Sequence, residues 1–205
     1  MKKYQIAEIS IAVGLIISIV FSFVNFGAEC GNIRNNVIRL HVLANSDSEK
    51  DQNVKLLVRD ALLSCGSEIF SGTVSRDNAE ECLTREKNLL TEKANKVLKE
   101  NGFEYKAEIV ITDEYFQTRD YEEFTLPAGE YKALKVVLGK GEGHNWWCIM
   151  FPPLCLPAAT EKTNTEIILG NDSVEIISNP VKYEMKFKVI EIVEEIRNNL
   201  KVKFK

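Results

Sequence analysis

Two histidines, His41 and His144, and five cysteines, Cys30, Cys65, Cys82, Cys148 and Cys155, carry most of the reactive side chains of this chain. They concentrate in Gly143-His144-Asn145-Trp146-Trp147-Cys148-Ile149-Met150-Phe151-Pro152-Pro153-Leu154-Cys155, which also holds both tryptophans. Three chemistries fit these residue types. Cys148 with His144 or His41 would make a thiol nucleophile and its base. The same groups with Cys155 would offer a zinc ligand set. A Cys148–Cys155 disulfide is the third, because the two intervening prolines fold the chain back and bring the thiols together. Closing so short a loop stabilises by about 2–3 kcal/mol in the chain-entropy account. The bridge removes both thiols, so it excludes the other two chemistries. An exported thiol- or zinc-dependent hydrolase is therefore the alternative to a non-catalytic protein. No Gly-x-Ser-x-Gly elbow, His-Glu-x-x-His or Cys-x-x-Cys motif occurs. Gly139-Lys140-Gly141-Glu142-Gly143 lacks the glycine spacing of a phosphate loop and leads into a strand.

The second constellation is Arg39-Leu40-His41-Val42-Leu43-Ala44-Asn45-Ser46-Asp47-Ser48. It sets one histidine and several polar groups at the end of a strand, where binding groups favour loops held by a rigid scaffold. A capped helix start beside a core histidine accounts for the same residues. Cys65 and Cys82 sit at the facing ends of two expected helices, either as a second bridge or as two small buried side chains.

The elements that must position these groups are legible from periodicity. Val37 to Ala44 reads as a strand. Asn45 to Ser48 is a strand-to-helix turn with capping spacing. A helix then places Val54, Leu57, Val58, Ala61 and Leu62 on one face, with Gly66 as its stop. A second helix from Asp77 to Lys99 ends at Asn101-Gly102, and the two form an antiparallel pair. Strands follow at Lys106–Thr112, Tyr131–Leu138 and Asn145–Phe151, with a turn at Leu126-Pro127-Ala128-Gly129. Thr165–Leu169 and Val174–Ile177 flank Gly170-Asn171-Asp172-Ser173 and read as a hairpin. From Pro180 a C-terminal helix carries Met185, Val189, Ile192, Val193, Ile196 and Leu200 as an apolar stripe suited to docking on a sheet. The fold class is α+β: a mainly antiparallel sheet with the helix pair and the C-terminal helix packed on one face.

Placement comes from the N-terminus. Lys2 and Lys3 precede an uncharged run from Ile9 to Ala28, long enough as a helix to cross a bilayer. Positive charge before the run keeps that end cytoplasmic and exports the rest. Residues 1–30 are thus a signal peptide or a membrane anchor, and 31–205 a single extracytoplasmic domain. Ala28-Glu29-Cys30 is a weak cleavage site, and Glu29 argues against a lipid-modified Cys30. The composition is that of an ordinary globular domain, 45% hydrophobic and 27% charged with net charge −4. Acids and bases are interspersed, so no basic stripe favours nucleic acid.

Ile38 to Ser48 followed by Val58-Arg59-Asp60-Ala61, Leu126-Pro127-Ala128-Gly129-Glu130-Tyr131, and Asn145-Trp146-Trp147-Cys148 through Phe151-Pro152-Pro153-Leu154-Cys155 resemble the stage II sporulation protein R family in order and spacing. The resemblance covers Val37 to Cys155. It implies a non-enzymatic signal of endospore formation, made in the forespore and exported into the space between the two septal membranes. There such a protein triggers a membrane-embedded aspartic protease of the mother cell, which cleaves the precursor of sigma factor E. The family supplies no catalytic residue to carry over. His41, Asn45, Asp47, Trp146 and Trp147 lie in its motifs and are the candidates for partner binding. The expected partners are that protease and the membrane; no cofactor or metal is expected.

Overall fold

Side-chain alternation along the strands decides which face of the sheet each helix covers. The computed structural model describes residues 3–73, 75–121, 124–154 and 162–203. The chain runs α1 (Lys3–Asn36), β1 (Ile38–Leu43), α2 (Glu49–Ile69), α3 (Arg76–Glu100), β2 (Ala107–Phe116), β3 (Arg119–Asp120), β4 (Thr125–Leu126), β5 (Gly129–Leu138), β6 (Asn145–Phe151), α4 (Lys162–Leu169), α5 (Asn171–Ser178) and α6 (Pro180–Lys203). The main sheet has the order β2-β5-β1-β6, and β3 and β4 form a separate two-stranded ribbon. β1 lies parallel to β5 and antiparallel to β6, while β2 and β5 are antiparallel. The sheet is therefore mixed rather than purely antiparallel.

Ile38, Leu40 and Val42 of β1 face α2 and α3, packing with Val54, Val58 and Leu62 and with Leu83, Leu90 and Leu98. The alternate positions face the other way. Tyr131, Ala133 and Ile149 pack there with Phe26, Cys30 and Ile33 of α1, Ile176 and Ile177 of α5, and Phe187 of α6. Helices thus cover both faces, not one. β1, at the centre, is buried along nearly its whole length, as expected of a strand covered on both sides.

α2 begins as its sequence requires: Ser48 is the N-cap and its hydroxyl accepts from the Asp51 N–H. It does not stop at Gly66 but runs to Ile69. Gly66 instead makes room for Met150 of β6, because a Cβ there would sit 2.9 Å from the Met150 Cε. Cys65 and Cys82 are free thiols and form no bridge.

The expected hairpin after residue 165 is two short helices, α4 and α5, joined at Gly170 with φ +80°. Gly-Asn-Asp-Ser serves a hairpin loop and a helix start equally well in sequence. Packing against α1 decides it. Asn32 donates to the Leu169 carbonyl and the Ser173 hydroxyl, and Ser173 donates to Glu29. α6 meets the rest of the fold through Tyr183, Lys186, Phe187 and Ile190 and through the Arg34–Glu194 and Lys201–Glu130 pairs. The stripe expected to dock faces outward: Met185, Ile192, Ile196 and Leu200 are all exposed.

α1 is long and apolar enough to cross a membrane. It continues past residue 30 without a break, and its last turns belong to the core. Cys30 is fully buried there, out of reach of modification unless α1 unpacks.

Candidate partner-binding surface

The turn after β1 is built around one buried carboxylate. Asp51 Oδ2 accepts from Ser46 Oγ (2.5 Å) and Asn45 Nδ2 (2.9 Å), and Oδ1 accepts from Tyr105 Oη (2.5 Å). Burial acts to raise the Asp51 carboxyl, but donors from Ser46, Tyr105, Asn45 and Ser48 outweigh it and hold it below the usual range. Burial and the same contact push the Tyr105 phenol up. Asn45 is fully engaged, since its Oδ1 also accepts from the Lys140 N–H.

That turn is joined to the β5–β6 loop. The Gly143 N–H donates to the Ala44 carbonyl (2.9 Å), and a Cβ at Gly143 would collide with the Ser46 backbone. Asp47 Oδ1 accepts from the His144 N–H (2.6 Å) and from its Nδ1 (2.5 Å). The His144 backbone N–H, then its ring, hold the Asp47 carboxyl below its ordinary value. Lys55 donates to the His144 carbonyl. Both Asp47 and His144 face solvent, with side chains 57% and 79% exposed. Trp146 follows, 37% exposed, with the Arg59 guanidinium 4.4 Å from its ring centroid. The Arg59 side chain is itself only 18% exposed and pairs with Asp60, so the solvent-facing part of this strip is the hydrogen-bonded Asp47–His144 pair and the edge of Trp146.

Trp147 points through the opposite face. It stacks on His41 at 3.6 Å between ring centroids. His41 Nδ1 donates to Glu114 Oε2 (2.9 Å), and Glu114 Oε1 accepts from Lys135 Nζ (3.0 Å). Burial works to raise Glu114, but these two donors win and lower it. Arg39, two residues before His41, is fully buried. Its Cζ lies 4.1 Å from the Phe116 centroid and 5.2 Å from that of Tyr131, and Nη2 donates to Tyr121 Oη (2.7 Å). Among the described residues Arg39 Nε and Nη1 and His41 Nε2 have no hydrogen-bond partner. Among the described residues Arg39 has no carboxylate partner either.

A family model, "Stage II sporulation protein R (spore_II_R)", matches residues 34–161. The chain belongs to the stage II sporulation protein R family. The match takes in the whole sheet and the α2–α3 pair and leaves out most of α1 and the helices after residue 161. A relative from Bacillus subtilis (strain 168), named "Stage II sporulation protein R", is 36% identical over 126 residues, 60% of this chain and 55% of the relative. The chain thus matches about half the length of that curated relative. No solved structure matches.

The five family-motif residues do not form one patch. Asn45, Asp47 and Trp146 gather at the C-terminal end of β1, on the α2 side. His41 and Trp147 lie behind the sheet, and His41 is buried. The β1–β6 register explains the division, because His41 pairs with Trp147 and Val42 with Trp146, so the two tryptophans project oppositely. Arg59, Lys55, Asp51 and Tyr105 complete the outer strip and Arg39 and Glu114 the inner one. Of these, Arg39 and Arg59 lay in the motifs read from sequence and Asp51 stood at capping distance from Ser48; Lys55, Tyr105 and Glu114 carried no sequence signal.

The register also separates the pieces of the thiol chemistry. Cys148 packs on the α2–α3 side, the face opposite His41, so the two cannot form a nucleophile–base pair. Cys148 is disulfide-bonded; Cys155, the partner expected for it, lies outside the described residues. Among the described residues no group of three metal-binding side chains converges.

Proposed function

We propose that this chain is an exported sporulation signal that acts by binding. It crosses the forespore membrane and activates a membrane-embedded aspartic protease of the mother cell, which then processes the sigma factor E precursor. It is not an enzyme in this reading. The observation that carries the proposal is family membership over residues 34–161. The apolar α1, with lysine ahead of it, supports an extracytoplasmic position.

A ligand activates only by binding the active receptor state better than the inactive one. The surface assigned to this task is the strip of Asn45, Asp47 and Trp146, with Arg59 and His144. A partly exposed tryptophan against an arginine has the composition of an interface hot spot. His41 and Trp147 act from behind by fixing the plane of β1 and β6. Conversion of the sigma factor precursor, followed in cells that co-produce protease and signal, tests the reading. Trp146→Ala should abolish most processing while the purified protein melts as the wild type does. Full processing by a Trp146→Ala, Arg59→Ala double variant would remove this surface from the mechanism.

A further inference from the structure

α6 holds an apolar face that is exposed among the described residues, and its position beside α1 points to what covers it. Every residue from Tyr4 to Phe21 in α1 is exposed. These eighteen helical residues span about 27 Å; the uncharged stretch from Ile9 to Phe21 covers roughly 20 Å of a bilayer's hydrocarbon layer, and Tyr4 to Glu8 reach its inner boundary. Burial against the described residues of the domain starts at the next residue, Ser22. Lys186 Nζ donates to Ser22 Oγ (2.8 Å). Phe26 stacks on Tyr183 at 5.5 Å and meets Phe187 edge-on at 5.2 Å. Ile190 lies over Gly27, where an added Cβ would be 3.5 Å away. α6 therefore rises beside α1 in the same direction, with its first turns level with the end of the uncovered segment.

We propose that α1 is retained as an anchor and that the first two turns of α6 sit in the interfacial layer of the same bilayer. The occupant of this face is lipid. Val181 and Met185, 88% and 76% exposed, lie below Lys186 by up to about 7 Å along the axis. That depth belongs to the boundary between headgroups and acyl chains. Lys182 and Lys186 are long enough to lay their stems along that layer and hold their ammonium groups at the phosphates. Lys182 already pairs with Glu175, so the first turns bring apolar area more than net charge. Leu200, 15 residues after Met185, stands roughly 22 Å higher and outside the lipid. Cleavage near Ala28 would remove Phe26 and Ser22 and with them the contacts that Tyr183 and Lys186 make to α1.

This arrangement rests on the anchored reading of α1, not on the identity of any receptor. The test uses the full-length chain in nanodiscs of phosphatidylglycerol and phosphatidylethanolamine, without reductant, in a Cys82→Ser background, because Cys30 and Cys65 are buried. An environment-sensitive fluorophore is attached through Val181→Cys, Met185→Cys or, as reference, Leu200→Cys. At the first two sites emission should shift to the blue, spin-labelled lipid should quench it, and iodide should quench it roughly threefold less than at Leu200. Equal iodide quenching at all three positions overturns the proposal. So does shielding at Val181 and Met185 without lipid quenching, which would mean a second copy covers the face. Processing activity is not read, so failure of the signalling proposal and failure of lipid contact remain distinguishable.

Discussion

The two tryptophans of this chain are neighbours in sequence and opposites in setting. Trp146 leans on Arg59 at the water-facing side of β6, beside the Asp47–His144 pair. Trp147 passes to the other face, stacks on a buried His41 and borders Phe116, on which Arg39 lies. Each patch pairs a cation with aromatic rings. In water such a contact adds little to stability and stays available to a partner. Inside, the same contact must offset the desolvation of a guanidinium that has one hydrogen bond among the described residues. The outer patch is thus suited to recognition and the inner one to holding the central strands in register.

The comparison breaks most visibly at Trp147. Trp147→Ala should cost about 3 kcal/mol of unfolding free energy, the usual loss for truncating a large packed aromatic. Trp146→Ala should cost under about 1 kcal/mol in the same urea titration, yet weaken receptor binding roughly tenfold or more. Equal stability losses would show that the two rings share one role. Arg39 sharpens the same point. Arg39→Ala should destabilise by about 3 kcal/mol, whereas Arg39→Met should fall within about 1 kcal/mol of wild type, since an apolar side chain of similar length has no charge to desolvate.

Next in size is Asp51. Asp51→Ala should cost about 2–3 kcal/mol by stranding Ser46, Asn45 and Tyr105. The folded carboxyl titrates below its unfolded value of about 3.9. Its contribution is therefore present above that unfolded value and is lost as pH falls through the folded one. Urea midpoints of Asp51→Asn between pH 2 and 5 should accordingly decline less steeply with acid than those of wild type. An unchanged slope would assign the acid sensitivity to other carboxylates, with Glu114 the first to examine.

Much of this architecture was legible in the chain itself. β1, α2, α3, β5 and β6 announce themselves through period and caps, because their local preferences agree with the final packing. The parallel pairing of β1 with β5 is not a local property. It depends on which edge the long α2–α3 excursion returns to. α4 and α5 read as a hairpin in sequence because eight-residue segments have no decisive period, and α1, distant in sequence, settles their conformation. The stripe of α6 was visible but its direction was not, since periodicity defines a face without naming what it meets. At the candidate site, motif position brought out His41 and both tryptophans. The register that divides them, and the buried Arg39 beside them, required the sheet.

The smallest effect concerns the Asp47–His144 pair, and it separates recognition from folding most cleanly. Both side chains are well exposed, so Asp47→Asn should leave the melting temperature within error of wild type. The pair nonetheless joins the β1–α2 turn to the loop that carries Trp146. The Asp47 carboxylate is held below its ordinary value, so near neutral pH it offers a fixed negative charge near the Lys55 cation. A partner that reads this strip should lose part of its electrostatic steering when the charge is removed. The expected result is a slower association rate for Asp47→Asn at low salt, converging with wild type as ionic strength rises, with little change in dissociation. An association rate equal to wild type at every salt concentration would place the contact elsewhere and leave Asp47 as a loop fastener alone.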